Sequence, residues 1–272
     1  MVPAHNAPTP MSDVVTSRRE GALLYVAMNR PEKRNAIHRE LLLELIDAVA
    51  AAERERDVRA VIVYGEGPVF SAGVDFGMLA GDLRGEPALP FRTLVGDMQA
   101  ALSRLEAIEK PVIAALHRYV PGLGLELALA CDLRIATVDC ELGLPEVRVG
   151  LVPDVGGTTR LVRTVGYARA KELVMTGRMI RAEEAMAIGL VNQVVPAGEH
   201  LAAATRLAEE IAANAPLAVG LAKRLVDLGS NVDKQTFLAM ELLAQSVLLR
   251  TEDAREGARA LAERRPPRFT GR

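Results

Sequence analysis

The sequence predicts an α/β protein built on a parallel sheet with helices on both faces. Three observations point there. The runs "AVIVYG" (60–65), "PVIAAL" (111–116) and "LRIAT" (133–137) are dominated by unbroken apolar residues instead of strict alternation. That is the pattern of strands buried on both faces. Helical spacing occupies stretches between such runs, as crossover connections require. Beyond about residue 197 the strand-like runs stop, so the last quarter reads as helices alone.

In chain order, "MVPAHNAPTPM" (1–11) has no basic segment leading into an apolar one. It predicts a loose tail and no secretory signal. "VVTSRREGALLYVAM" reads as two extended runs joined at Glu20-Gly21, a hairpin. Residues 39–54 set Leu42, Leu45, Ile46 and Val49 at helical spacing. "GDLRGEPALPFR" (81–92) carries two Gly and two Pro, and predicts a mobile lid. In the last quarter, breaks at Asn214–Pro216 and Gly229–Asn231 separate helices. The expected organisation is a tail at 1–11, a core at 12–196 and a helical region at 197–272.

Composition bounds the function. With 272 residues, half of them apolar, the chain can bury a large core. Its 33 basic and 35 acidic residues leave a formal charge of −2, which predicts neither nucleic acid nor an anionic membrane as partner. No apolar run approaches the ~18 residues of a membrane span. Two cysteines, Cys131 and Cys140, make no disulfide framework; a reducing, cytoplasmic location is expected. The four histidines are scattered without metal-ligand spacing, so no metal is expected. Ser71 has neither a G-x-S-x-G frame nor a sequence-paired base.

The chemistry centres on "YVPGLGLELALACD" (119–132), where Glu126 interrupts a run that otherwise reads as buried helix. An unpaired buried charge costs several kcal/mol or more. One reading is a dinucleotide fingerprint, Gly122-x-Gly124-x-x-x-Ala128, with Asp139 as the ribose acid. Against it, "HRYVP" separates the strand from the glycines, and Glu126 would face a pyrophosphate. A plainer reading makes Glu126 a residue that complements the helix dipole. A second acid, Glu146, follows Pro145; it reads equally as an N-terminal helix acid. Asp154, eight residues further, reads equally as the N-cap of the helix beginning "VGGTTRL".

Two strand ends are each followed by a glycine-bearing turn. Gly73, in "GPVFSAGVDF", lets the Val74 amide turn out of a ladder. Gly122 and Gly124 let a helix start tightly, leaving first-turn amides without intrahelical partners. Together the turns can offer two amides to one developing oxyanion.

These pieces in order resemble the enoyl-CoA hydratase/isomerase (crotonase) superfamily. The similarity lies in "MNRPEKRNAI" (28–37), "VFSAGVDF" (69–76), "KPVIAALHRYVPGLGLELALACDLRIA" (110–136), "LPEVRVGLVPDVGGTTRL" (144–161), "MTGRMIRAEEAMAIGLVNQVV" (175–195) and "ERRPPRFTGR" (263–272). The resemblance implies a crotonase-like spiral core of ββα units, with a C-terminal helical region making trimer contacts, as a homotrimer or a dimer of trimers. It implies an acyl-CoA thioester as substrate and no separate cofactor, coenzyme A being part of that substrate. The Val74 and Leu123 amides would form the oxyanion hole. Arg34, Ala36, Ala72, Gly73, Asp75 and Phe76 would contact CoA. Glu126 and Glu146 fill the places of the two acids of family hydratases, implying addition of water to a trans-2-enoyl-CoA. Asp154 stands where dienoyl-CoA isomerases carry an acid, so a double-bond isomerase using Glu146 and Asp154 is the alternative. A non-catalytic acyl-CoA-binding protein is disfavoured because both acids are present, and an RNA-binding one because residues 39–56 carry mixed charge.

Overall fold

The computed structural model describes residues 13–78, 88–229 and 232–272, with only the backbone of 88–90. The expected tail and the 81–87 part of the expected lid lie outside these residues. Residues 88–92, expected as loop, instead open a helix.

The predicted hairpin forms from β1 (Val15–Glu20) and β2 (Leu23–Met28), followed by α1 (Arg39–Ala51) and β3 (Ala60–Gly65). Next come α2 (Ala88–Ala107), β4 (Val112–Leu116), β5 (Tyr119–Pro121), α3 (Leu123–Ala130), β6 (Leu133–Thr137) and β7 (Glu141–Gly143). Then follow α4 (Gly157–Thr176), β8 (Ile180–Arg181), α5 (Ala182–Ala187) and β9 (Gln193–Val195). The described chain ends in α6 (His200–Ala212), α7 (Pro216–Leu228), α8 (Lys234–Leu248) and α9 (Glu252–Glu263).

The main sheet runs β1-β2-β3-β4-β6-β9, and every pair except β1 with β2 is parallel. Its unbroken apolar strands have the reason the sequence implied. Along β3, Val61 and Val63 enter one apolar layer with Leu42, Leu45 and Val49 of α1 and Leu102 and Leu105 of α2. Ala60, Ile62 and Tyr64 enter the opposite layer, closed by Ala203, Ala204 and Ala208 of α6. Burying each larger aliphatic side chain contributes about 1.5–3 kcal/mol, so both faces hold the sheet in register.

A second, small sheet, β5-β7-β8, stands apart from the first. β5 lies inside "HRYVP", the stretch that separates β4 from the glycines. Its pairing with β7 sets Pro121 opposite Gly143. The loops leaving the C-terminal ends of β3 and β4 therefore arrive beside β7 and the turn after it. In parallel sheets, that end of the strands is where ligands bind.

Candidate active site

Gly122 starts the site. Its φ is +50°, and its amide donates to the Gly143 carbonyl at 2.9 Å. Its own carbonyl accepts from Leu125 N and Glu126 N, opening α3. A Cβ at this position would lie 2.7 Å from Glu146 Oε1, so only glycine admits both the backbone angle and the neighbouring acid.

All eight residues of α3 are buried, Glu126 among them at 2% exposure. Its charge is not left unpartnered: Oε1 accepts from Val155 N at 3.0 Å and from Gly157 N at 2.7 Å. Gly157 is the first residue of α4, so the carboxylate sits where the positive end of that helix favours an anion. Burial nevertheless outweighs these amides. It pushes the Glu126 carboxyl up to about 8 from 4.5, with the charges of Glu146 and Asp154 adding to the rise and the Gly157 and Val155 amides opposing it.

Glu146 opens the single helical turn Glu146–Val149 and is half-buried. Its Oε2 is buried with no hydrogen-bond partner among the described residues. Burial raises its carboxyl above the usual range, the charge of Asp154 adding to the rise. Asp154 is also half-buried and raised by burial. It is not the N-cap of α4; Gly156 takes that place. The Asp154 carbonyl instead accepts from Gln99 Nε2 of α2.

The two amide-bearing turns meet the same space. Ile37 N donates to Gly73 O and Asp75 N donates to Ile37 O, both at 2.8 Å. This parallel bridge engages the residues flanking Val74, so the Val74 amide faces away from it. Ser71 is fully buried; its hydroxyl donates to Asn35 O at 2.8 Å and accepts from Gly73 N at 3.0 Å. The serine is thereby a brace for the turn, with its hydroxyl already engaged. On the facing side, Leu123 is the first residue of α3, where helix amides lack intrahelical acceptors.

A cavity of about 610 Å³ joins these groups, lined by Gly73, Val74, Gly122, Leu123, Glu126, Glu146 and Asp154. α2 supplies an apolar wall of Phe91, Leu94, Val95 and Met98, and Leu151, Val152 and Val155 lie on the 150–155 turn. The three acids thus share one hollow whose other walls are largely apolar. Burial raises all three, and neighbouring carboxylate charge raises Glu126 and Glu146 further, a combination suited to proton transfer near neutral pH. Among the described residues no cluster of His, Cys, Asp and Glu is arranged to hold a metal ion.

The sequence model described as enoyl-CoA hydratase/isomerase matches residues 18–272. The chain belongs to the enoyl-CoA hydratase/isomerase family. It is 37% identical to the 2,3-dehydroadipyl-CoA hydratase of Escherichia coli over 262 residues, 96% of this chain and 100% of that protein. It is 38% identical to the crotonyl-CoA hydratase of Syntrophomonas wolfei over 249 residues, 91% of this chain and 94% of that protein. Its fold matches a crystal structure of enoyl-CoA hydratase from Bacillus anthracis with a TM-score of 0.89 at 37% identity, covering 95% of this chain and 100% of that one. The α/β architecture is accordingly the crotonase fold.

Within this family member, the residues expected at CoA divide into two groups. Ala72, Gly73 and Phe76 line the cavity, Phe76 with 63% of its surface exposed. Arg34, Ala36 and Asp75 lie beside it in the supporting loops. Arg34 O accepts from Ala72 N, and Ala36 O accepts from Arg30 Nη1. The Asp75 carboxylate accepts from Gly77 N and Arg30 Nη1. Against the upward push of burial, those two donors hold it below the usual range. Sequence reasoning missed the α2 wall, although Leu94, Val95 and Met98 keep helical spacing that was there to be read. It also missed Tyr119, which borders the cavity from β5.

Proposed function

We propose that this protein hydrates 2-enoyl-CoA thioesters. The observation that carries the reading is the convergence of Glu126 and Glu146 on one cavity, beside the Val74 and Leu123 amides. The thioester carbonyl would accept from those amides, which stabilise the enolate charge that builds there as water adds at C3. Two carboxyls holding one proton between them can serve both ends of the addition. The ionised Glu126 takes a proton from water as its oxygen bonds to C3, while Glu146 delivers a proton to C2. The proton then returns from Glu126 to Glu146, and water has been added with both acids restored.

In the free protein, burial pushes the Glu126 carboxyl up to about 8, so Glu126 is the acid that carries the proton at neutral pH. The proton therefore passes to Glu146 when substrate and water enter, through the water both acids hold. Glu146 Oε2, buried without a partner among the described residues, would accept from that water. Two of the similar proteins are named as hydratases of crotonyl-CoA and of 2,3-dehydroadipyl-CoA, which supports an enoyl-CoA thioester as the substrate class. The apolar α2 wall supports an acyl chain as the group it faces.

Asp154 supports a second reading. It lines the same cavity, and its charge acts on both glutamates. Proton exchange between Glu146 and Asp154 would move a double bond along a conjugated dienoyl thioester. A parallel assay of purified protein with crotonyl-CoA, a longer 2-enoyl-CoA and a 3,5-dienoyl-CoA tests both. Loss of the enoyl absorbance with the first two substrates supports hydration. Turnover of the dienoyl substrate alone overturns it. Assembly as a homotrimer through the C-terminal helices is supported by Leu238, Leu242, Leu243 and Val247 of α8, all exposed in the single chain. Sedimentation of the full chain beside a truncation at Ala197 tests it.

A further inference from the structure

The turn that grips Glu126 has a support of its own. Val155, whose amide donates to Glu126 Oε1, returns its carbonyl to Arg160 Nη1 at 2.9 Å. The guanidinium lies directly against Gly156, where a Cβ would fall 2.1 Å from Nη1. Arg160 Nη2 in turn pairs with Glu106 Oε2 of α2 at 2.7 Å. Arg160 is 7% exposed and does not line the cavity, so it reaches the chemistry only through the backbone. A buried guanidinium is costly unless its donors are used. Two of its three nitrogens hold residues 155–157 against α2, while Nε is buried without a partner among the described residues.

We propose that Arg160, anchored by Glu106, is a positioning residue that fixes the 155–157 turn and thereby the orientation of Glu126. The inference rests on the reading of Glu126 as an acid/base group. Two amides donating to one carboxylate oxygen favour its ionised form. A turn that drifts loses those donors, and the proton on Glu126 becomes harder to release. The charges that face Glu126 are Glu146 and Asp154. α2 also carries the apolar wall and, through Gln99, holds the Asp154 carbonyl. One helix thus braces the acid-bearing turn and walls the cavity.

The test compares wild type, Arg160→Met, Arg160→Lys and Glu106→Ala. Glu126 is titrated in the free protein by carbon-13 carboxyl NMR, with its signal assigned by Glu126→Gln. Hydration of crotonyl-CoA is measured as kcat and KM. Arg160→Met is expected to raise the Glu126 titration by ~1 unit and to lower kcat roughly 10²-fold with little change in KM. Arg160→Lys, which keeps the charge and one donor, should recover much of both. Glu106→Ala separates bracing from plain electrostatics. Removing a negative charge through space would lower the Glu126 titration, whereas loosening Arg160 raises it. A rise in Glu106→Ala supports the proposal; a fall or no change overturns it, and decides the matter even if Arg160→Met does not fold. The titration needs no turnover. If it moves while hydration is absent in wild type, the positioning stands and the assignment of the reaction fails.

Discussion

Gly157 and Glu126 fit each other with no room to spare. The glycine amide donates to Glu126 Oε1 at 2.7 Å, and a Cβ on Gly157 would lie 2.7 Å from both Oε1 and Cγ of the acid. A methyl group there must push the carboxyl out of its amide grip or shift the start of α4. Gly157→Ala is therefore expected to cost roughly 1–3 kcal/mol of stability by overpacking. It should also lower kcat by about 10²-fold through displacement of the acid. Chemical denaturation and steady-state kinetics on one preparation check both, and a variant with wild-type kcat contradicts the placement of Glu126.

Glu146 differs from Glu126 in having a buried oxygen, Oε2, with no partner among the described residues. Glu146→Gln keeps the shape and removes the exchangeable proton. The expected loss in kcat is ~10²–10⁴-fold, the usual size of a general acid contribution. Binding of a non-reactive acyl-CoA, followed by calorimetry, should be nearly unchanged. Undiminished turnover would remove Glu146 from the mechanism.

The legibility of this molecule in its sequence divides along physical lines. β3, β4 and β6 are readable because burial on both faces leaves an unbroken apolar signature. Glu126 is readable because a charge inside an all-buried helix needs a reason. β5, β7 and β8 are not, since strands of two or three residues carry too few side chains to show a period. That small sheet is also what brings positions 126 and 146 together, through the Gly122 amide on the Gly143 carbonyl. Their convergence is a tertiary contact that spacing along the chain does not express. The grip of Arg160 on a backbone carbonyl is hidden for the same reason. Arg34, Ala36 and Asp75 entered by resemblance, and the structure sets them in loops beside the cavity.

Stability should report the buried acid through its pH dependence. An unfolded glutamate titrates near 4.5, while Glu126 in the fold is pushed up to about 8. Below 4.5 the carboxyl is neutral in both states, and its contribution to folding is fully present. As pH rises from 4.5 towards 8 the unfolded chain ionises freely while the folded one holds its proton, so stability falls across that window. Glu126→Gln cannot ionise and should lose this dependence. Urea denaturation of both proteins at pH 5 and pH 8.5 is expected to show the glutamine variant gaining on wild type at the higher pH. Parallel behaviour of the two at both values contradicts a raised Glu126.

Ser71 is fully buried and spans Asn35 O and Gly73 N. Removing the hydroxyl leaves the Gly73 amide without its acceptor in a buried place, at a cost of about 1–3 kcal/mol. The turn that aims the Val74 amide loosens with it. Ser71→Ala should stay folded with a melting temperature lowered by several degrees. It should retain measurable hydration, with kcat reduced more than KM is changed. Complete inactivation of a folded Ser71→Ala protein would return the serine to consideration as a nucleophile.

Asp154 decides between the two chemistries, because it faces the cavity without serving as the cap of α4. In hydration, the groups that move protons are Glu126 and Glu146, and Asp154 acts only by its charge, which raises both. Asp154→Asn removes that charge and so should lower the titration of Glu126 and of Glu146, an electrostatic retuning with modest effect on rate. In isomerisation, the same substitution removes one of the two groups that exchange protons with the substrate, and turnover should collapse by ~10²-fold or more. The measurement is paired: crotonyl-CoA hydration and 3,5-dienoyl-CoA isomerisation on the same Asp154→Asn preparation. Hydration within a few-fold of wild type agrees with the two-glutamate mechanism. A hydration rate that falls as steeply as in Glu146→Gln would place Asp154 among the groups that handle the proton at C2 or C3, and the two-acid scheme would have to become a three-acid one.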